Sequence, residues 1–313
     1  MSFVIKKAIR EQTGLIIGLA GGTGSGKTFS AMRLASGIAG DRPFVVLDTE
    51  AGRSRHYADQ FNFDIGDLSP PFSPDSYSEA IKAADIAGYP VIVVDSMSHE
   101  WSGEGGVLEM HDAEVDRMAG TDWKKREAVN IAGWIKPKMQ HKKMVQRLLQ
   151  VRAHLILCFR AEEKIEMVRE EGKMKIVPKV SMTGINGWMP VCEKNLPFEL
   201  TASFLLTADA PGMPKPIKLQ EQHKVMFPLD KPVDEDSGRK VAAWASGGAV
   251  ATTITPADFD AMTRTMDVKT MPELERAFGT AYTRAKRLKD DATMKRLKAY
   301  YDATKESLNE VTI

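Results

Sequence analysis

Short apolar runs separated by helical stretches dominate the first half of the chain. The runs cover residues 15–20, 44–47, 91–94 and 155–159. Each is too short for a typical helix, and unbroken apolar strands are typical of a parallel sheet that is covered on both faces. Residues 27–39 repeat apolar positions at helical spacing before Gly40, which favours a helix after the first strand. We therefore predict an α/β fold with a mostly parallel central sheet flanked by helices.

Beyond residue 160 the hydrophobic pattern changes. Apolar and charged residues alternate over 164–168 and again over 174–177, which predicts a β-hairpin. Residues 198–207 have the composition of a further strand. We assign all of these elements to one core over residues 1–228.

The C-terminal part of the chain differs from the core in its composition and hydrophobic pattern. Proline and glycine accumulate after residue 210, and we interpret residues 229–255 as irregular chain and linker. Apolar positions recur at helical spacing over 256–313, where Thr270 and Pro272 suit the start of a helix. This segment is predicted to form a small three-helix appendage.

Composition places the chain among ordinary folded proteins. Of its 313 residues, 43% are hydrophobic and 27% are charged, and 43 basic residues against 42 acidic ones leave a net charge of +1. These values exclude a disordered chain and a histone-like polycation. Two cysteines are too few for a disulfide framework or a four-cysteine zinc site. No apolar run approaches the ~20 residues of a membrane span, and the N-terminus lacks the apolar part of a secretory signal, so we expect a cytoplasmic protein.

The candidate chemistry begins directly after the first predicted strand. Residues 21–28 read G-G-T-G-S-G-K-T and match the pattern G-x-x-x-x-G-K-[ST] at every fixed position. Glycines let the backbone turn its N–H groups toward phosphate oxygens, and the following helix directs its N-terminal partial positive charge at the same anion. The lysine reaches the β- and γ-phosphates, and the last hydroxyl can ligate Mg²⁺. The sequence therefore predicts a site for ATP and Mg²⁺. Its predicted nucleotide-binding residues are Gly21, Gly22, Thr23, Gly24, Ser25, Gly26, Lys27, Thr28 and Phe29.

Two acidic residues follow other predicted strands. Asp95 ends the run V-I-V-V-D, which is the expected place for a carboxylate that orients Mg²⁺. Glu50 ends the segment V-L-D-T-E after the second strand, and this position would bring it near the γ-phosphate from a neighbouring strand end. We predict Thr28 and Asp95 as the residues that support the metal.

Four motifs, GGTGSGKT, VVLDTE, VIVVDS and LILCFR, together resemble those of the RecA-like recombinase ATPases. The chain is most similar to the compact phage members of that group, the core-only RecA-like proteins associated with single-strand annealing. The resemblance covers about residues 10–205. It implies an ATPase core that works as a homo-oligomer on single-stranded DNA.

The resemblance also implies roles for individual residues. Lys27 is expected to bind phosphate and Asp95 to support Mg²⁺, while Glu50 positions the attacking water. Arg160, just after the fourth strand, is expected to sense the γ-phosphate or to act on the nucleotide of a neighbouring subunit. RecA itself carries glutamine at that strand end, and Lys164 lies close enough in sequence to share the role.

Charge is strongly segregated after Asp95. Residues 99–122 hold seven acids and one arginine, whereas residues 124–152 hold nine basic residues and one acid. Clustered basic side chains can contact phosphates, and an interleaved tryptophan can stack on a base. The candidates for nucleic-acid contact are Trp134, Lys136, Lys138, Lys142, Lys143 and Arg147. Alternatively, the basic stretch is a solvated helix packed on the sheet, or its charges pair with the acidic half or across a subunit boundary.

The sequence leaves three functions open. The first is an ATPase, stimulated by DNA, that acts on single-stranded DNA in phage-type recombination, annealing or repair; the cytoplasm would then be that of the bacterial host. The second is a nucleotide-switched loader or adaptor that recruits a partner, such as a single-strand-binding protein, through residues 256–313. The third is a small-molecule kinase, which a phosphate loop and an acid would also serve. We expect no membrane partner.

Overall fold

The computed structural model describes residues 14–170, 173–178, 187–247, 256–268, 270–287 and 290–310. These residues divide into two compact units, one that ends at Ala245 and one that begins at Ser246. The first unit contains the sheet and the candidate chemistry.

An eight-stranded sheet forms the centre of the first unit, beside a separate two-stranded hairpin. The described strands are β1 (Ile16–Gly21), β2 (Phe44–Asp48), β3 (Phe63–Asp67), β4 (Val91–Asp95), β5 (His154–Glu163), β6 (Ile165–Glu170), β7 (Lys173–Pro178), β8 (Trp188–Pro190), β9 (Ala202–Thr207) and β10 (Ala210–Lys218). The order across the sheet is β10-β9-β1-β5-β4-β2-β3, and β8 pairs with the end of β5. All pairs from β9 to β3 are parallel, whereas β10 and β8 run antiparallel to their partners. The predicted, mostly parallel sheet is confirmed.

Helices cover both faces of this sheet because its strands alternate their side chains between two apolar faces. The described helices of this unit are α1 (Lys27–Ala39), α2 (Pro74–Ala87), α3 (Ser98–Ser102), α4 (Val107–Ala119), α5 (Trp123–Gly133), α6 (Ile135–Leu148), α7 (Leu196–Glu199) and α8 (Glu235–Ser246). Ile17 packs with Leu34 of α1 and Val241 of α8 on one face. Ile16 packs on the other face, in the cluster that contains Met144 of α6. Two short 3-10 helices, Arg53–Tyr57 and Glu221–His223, complete the unit.

Three strands of the sheet, β3, β8 and β10, were absent from the sequence prediction. β3 reads F-D-I-G-D and lies at the sheet edge beside β2, with no fully buried residue. An edge strand needs no continuous apolar run. The two acids of β3 interrupt its apolar pattern, so the pattern typical of a buried strand is absent there.

The interpretation of residues 229–255 as irregular chain is wrong over the length of α8. Asp234 begins this helix, since its carboxylate accepts the Ser237 N–H at 2.9 Å. Gly238, which resembles a helix breaker in sequence, lets α8 approach α1 closely: a Cβ there would lie 2.4 Å from the Leu34 carbonyl oxygen. Residues 248–255 of the interpreted linker lie outside the described residues.

The predicted hairpin is confirmed, and the predicted strand over 198–207 is shorter than expected. β6 and β7 pair antiparallel from Ile165 opposite Pro178 to Glu170 opposite Lys173. Helix α7 occupies the first residues of the predicted strand, because Pro197 stands at its N-terminal turn, and β9 begins only at Ala202.

Three described helices make up the second unit, in the segment for which the sequence predicts three: α9 (Pro256–Arg264), α10 (Met271–Arg287) and α11 (Asp291–Glu310). Met266, Leu274 and Leu297 are fully buried in a core of their own. None of the helices described in either unit is both long and apolar enough to cross a membrane.

Candidate functional site

The phosphate loop joins β1 to α1 in a tight turn that requires glycine. Gly26 has φ +79°, in the left-handed region that other residues rarely adopt. At Gly21 a Cβ would lie 2.4 Å from the Ser25 hydroxyl and 2.5 Å from the Leu206 carbonyl oxygen. Inside the turn, the Lys27 ammonium donates to the Gly22 carbonyl at 3.2 Å. The predicted strand–loop–helix arrangement is therefore present.

Helix α1 presents an unscreened N-terminus to this loop. Its first turn contains no acidic residue, and no side chain caps its first N–H groups. The helix dipole and free N–H groups therefore favour an anion at this point.

Four strands deliver their carboxyl ends to the same edge of the sheet. Gly21 pairs with Arg160 between β1 and β5, and Asp95 pairs with Asp48 between β4 and β2. Strands β5 and β4 also pair with each other, with Cys158 opposite Asp95, so the four strands are neighbours in the sheet. Backbone register thus brings residues from distant parts of the sequence to one cleft of about 770 Å³, a volume typical of small-molecule sites. The cleft is lined by residues 21–29, Asp48, Glu50, Arg53, His56, Tyr57, Asp95, Arg160, Ala161 and Glu162.

Thr28 and Asp95 meet as the sequence predicts. The Thr28 hydroxyl donates to the Asp95 carboxylate at 2.5 Å. Burial raises the pKa of Asp95, which is only 8% exposed, so a nearby cation would favour its charged form. A hydroxyl and a carboxylate are hard oxygen ligands that fit Mg²⁺. In the described part of the chain no group of three His, Cys, Asp or Glu residues could hold a metal by itself. Magnesium at this site would therefore take further ligands from phosphate and water.

Glu50 lies across the cleft and is bound by two arginines. The Arg160 guanidinium donates to it at 2.7 Å and 3.2 Å, and that of Arg53 donates at 2.9 Å. Burial opposes ionisation of Glu50, but these hydrogen bonds outweigh that effect and lower its pKa. Glu50 is therefore ionised at neutral pH.

Asp48 organises the loop that carries Glu50. Its buried carboxylate accepts the N–H groups of Glu50, Gly52 and Ser54 at 2.8 Å, 3.0 Å and 2.9 Å, and also the Ser54 hydroxyl. Burial disfavours its charge, yet these donors lower its pKa overall. Sequence reasoning did not assign this role, although an acid before a glycine-containing turn is a usable signal.

The mouth of the cleft contains aromatic residues that sequence reasoning also missed, apart from Phe29. The 3-10 helix Arg53–Tyr57 brings Arg53, His56 and Tyr57 to the cleft. The Phe29 and Tyr57 rings lie 5.9 Å apart. Two aromatic rings, tilted by 40° to each other, thus lie beside the phosphate loop.

Of the two basic residues considered at the fourth strand, Arg160 lines the cleft and Lys164 is absent from its lining. Arg160 is positioned by its backbone N–H, which donates to the Ser98 hydroxyl at 2.9 Å. Lys164 lies beyond the end of β5, where its N–H donates to the Gly187 carbonyl.

The candidates for nucleic-acid contact lie at and along α6, away from the cleft lining. The Trp134 ring already stacks on His111 at 4.1 Å and lies nearly parallel to Trp101 at 5.9 Å, with the Lys138 ammonium 5.4 Å from it. Intramolecular contacts therefore occupy much of this predicted stacking surface.

The basic side chains of α6 divide into paired and unpaired groups. Lys136 binds Glu114 of α4 at 2.7 Å, and Arg147 binds Asp75 of α2 at 2.8 Å. The acidic and basic halves of the segment thus pair in part with each other. Lys142 and Lys143 are exposed, and neither has an ion-pair partner among the described residues.

Comparison with known proteins supports the assignment of the core. No curated protein matches the chain significantly. The family model described as an AAA domain matches residues 13–189, which is more than half of the 313 residues. The matched segment contains the phosphate loop, the acids Glu50 and Asp95, and Arg160, and the chain therefore belongs to the AAA domain family of nucleotide-binding P-loop proteins.

Proposed function

We propose that this protein is a Mg²⁺-dependent ATPase that acts, as an oligomer, on single-stranded DNA in phage-type recombination, annealing or repair. The observation that supports the ATPase step is the convergence of Lys27, the Thr28–Asp95 pair and Glu50 at one sheet edge. A phosphate-binding cation, a metal-binding pair and an acid for water then lie in the same cleft.

Each side chain of the cleft has a separate role in the proposed reaction. Lys27 and the α1 N-terminus bind the β- and γ-phosphates, while Thr28 and Asp95 would hold Mg²⁺. Mg²⁺ held there would stabilise the charge of the phosphates. Glu50 orients a water molecule toward the γ-phosphorus and takes up its proton. The water oxygen bonds to phosphorus as the bond to the β–γ bridging oxygen breaks, which yields ADP and inorganic phosphate. Tyr57 and Phe29 offer the surface on which the nucleobase rests.

Two observations support a role on DNA. The motifs resemble those of the RecA-like recombinase ATPases, and α6 exposes Lys142 and Lys143 without ion-pair partners among the described residues. Exposed unpaired lysines can displace counterions from a phosphate backbone.

The test is steady-state ATP hydrolysis with and without single-stranded DNA, beside a Lys27→Ala control. We expect hydrolysis that increases with DNA and disappears in the control. Hydrolysis that depends on Lys27 but ignores DNA would contradict the DNA role and retain the ATPase. Phosphoryl transfer to an acceptor other than water would replace the ATPase by a kinase.

A second candidate function rests on the C-terminal unit. Residues 246–313 include three helices with a buried core separate from that of the sheet, as expected of a module that binds a partner. In this alternative the protein is a nucleotide-switched loader or adaptor. It predicts that a single-strand-binding protein is captured by the full chain and lost on deletion of residues 256–313, while ATP hydrolysis without DNA persists.

A further inference from the structure

Glu50 is held by arginines from two different elements of the fold. Arg53 comes from the 3-10 helix after β2, and Arg160 comes from the end of β5. The Glu50 side chain is 18% exposed, whereas those of Arg53 and Arg160 are 75% and 51% exposed. The acid is thus covered by two cations that both reach the open cleft.

This arrangement blocks the role proposed for Glu50. A carboxylate that accepts hydrogen bonds from two guanidinium groups has few free lone pairs with which to orient water. Because Arg53 is largely exposed, its guanidinium can turn to another anion at little cost in packing.

A triphosphate supplies such an anion. The terminal phosphate of ATP carries more negative charge than a carboxylate, and its oxygens match the donor geometry of guanidinium groups. In the proposed function Lys27 binds the β- and γ-phosphates, and it lines the same cleft as Arg53. A diphosphate lacks the terminal group and competes less well for the arginines.

We infer that Arg53 is a positioning and specificity-determining residue: together with Arg160 it holds Glu50, and it moves to the γ-phosphate when a nucleoside triphosphate binds. Glu50 is thereby released only when the γ-phosphate, which is the group to be cleaved, is present. A diphosphate leaves Glu50 covered. This inference rests on the proposed function, since it requires a triphosphate in the cleft.

The same 3-10 helix provides a matched control. Arg55 stands two residues from Arg53, is also exposed, and pairs with Asp67 of β3 at 2.6 Å. It is absent from the lining of the cleft. Arg55→Gln therefore removes an arginine ion pair from the same turn without touching Glu50.

The experiment measures dissociation constants for Mg–ATP and Mg–ADP in the full chain. In Arg53→Gln, ATP binding should weaken by about tenfold, the expected loss of one charge-assisted hydrogen bond, with ADP binding nearly unchanged. Arg53→Lys should recover part of the loss, and Arg55→Gln should leave both constants as in the wild type.

A pH profile provides a readout that a purely structural role would not move. Since the Arg53 cation helps to lower the pKa of Glu50, its removal should shift the acid limb of kcat/KM to higher pH. The inference is overturned if Arg53→Gln leaves the ATP-to-ADP preference unchanged in a variant that still binds Mg–ADP as the wild type does, whatever happens to the acid limb. If the wild-type chain binds no triphosphate, the proposed function itself fails.

Discussion

The nucleotide cleft and the lysine surface of α6 are both rich in charge, but the two regions are organised in opposite ways. In the cleft three acids have protein partners: Asp95 is bound by Thr28, Asp48 by Ser54, and Glu50 by Arg160. On α6, Lys142 and Lys143 project into solvent with no ion-pair partner among the described residues. Strand register determines the first arrangement, whereas the second follows only from the exposed face of a helix. A cleft whose charged side chains are fixed by protein partners therefore differs from a helix face whose lysines are exposed to solvent.

The largest expected effect is at the cleft. Lys27→Ala removes the phosphate-contacting cation, so ATP turnover should fall by at least about a hundredfold, the scale of losing one preorganised electrostatic contact. Steady-state phosphate release measures this loss, and the circular dichroism spectrum of the variant should match that of the wild type. Undiminished turnover would remove the phosphate loop from the mechanism.

Glu50→Gln tests the other wall of the cleft. Loss of the water-orienting acid should lower kcat by about 10²–10⁴-fold. Nucleotide binding should persist, and ATP should bind more tightly because the two arginines no longer pair with a charged carboxylate. Single-turnover hydrolysis and equilibrium binding, measured on the same preparation, separate the two effects. Normal hydrolysis in this variant would assign the base to another residue.

The inner face of α6 provides a third test, because it carries a buried histidine–carboxylate pair instead of exposed lysines. Burial raises the pKa of Glu100, and the hydrogen bond from His141 opposes that rise. His141 Nδ1 lies 2.9 Å from the Glu100 carboxylate, which is fully buried. His141→Ala leaves this carboxylate without its partner and should lower the free energy of unfolding by about 3 kcal/mol. Urea denaturation measures the change. Glu100→Gln, which leaves no buried charge, should cost less, and equal losses would argue against the ion pair.

The same pair predicts how stability depends on pH. Burial opposes protonation of His141, but the hydrogen bond and charge of Glu100 outweigh it and raise the pKa of His141. Its contribution is therefore complete below the unfolded pKa of about 6.5 and is lost as the pH rises through the higher folded value. Wild-type stability should decline over that interval more than the stability of His141→Ala.

The smallest expected effect concerns the exposed lysines. Replacing Lys142 and Lys143 by Ala should flatten the log–log salt dependence of DNA binding by up to about two units. The matched control replaces Lys136 and Arg147, whose charges already pair with Glu114 and Asp75, and it should change the slope less. An unchanged slope in the first variant would show that Lys142 and Lys143 do not contact the DNA phosphates.

Local patterns were sufficient for much of the fold and for the centre of the site. The loop at residues 21–28 is recognisable because its function requires adjacent residues in a fixed order. Asp95 was predicted because it directly follows an apolar run, and Glu50 because it lies three residues beyond another such run. Parallel strands end at one edge of a sheet, which brings both acids to the same place. The edge strand β3 and helix α8 escaped prediction, since their stability depends on neighbouring elements: β3 on pairing with β2, and α8 on the close approach of Gly238 to α1.

The amino-acid order by itself determined the apolar strands, the phosphate loop and the acids that follow the strands, because each depends on residues that are neighbours in the chain. Only the tertiary structure decided that Arg53 and Arg160 meet on Glu50 and that Trp134 stacks within the protein. Arg160 is separated from Glu50 by 110 residues, and the order of strands that joins them depends on packing across the whole sheet. Periodicity along the chain carries no information about which strand ends become neighbours.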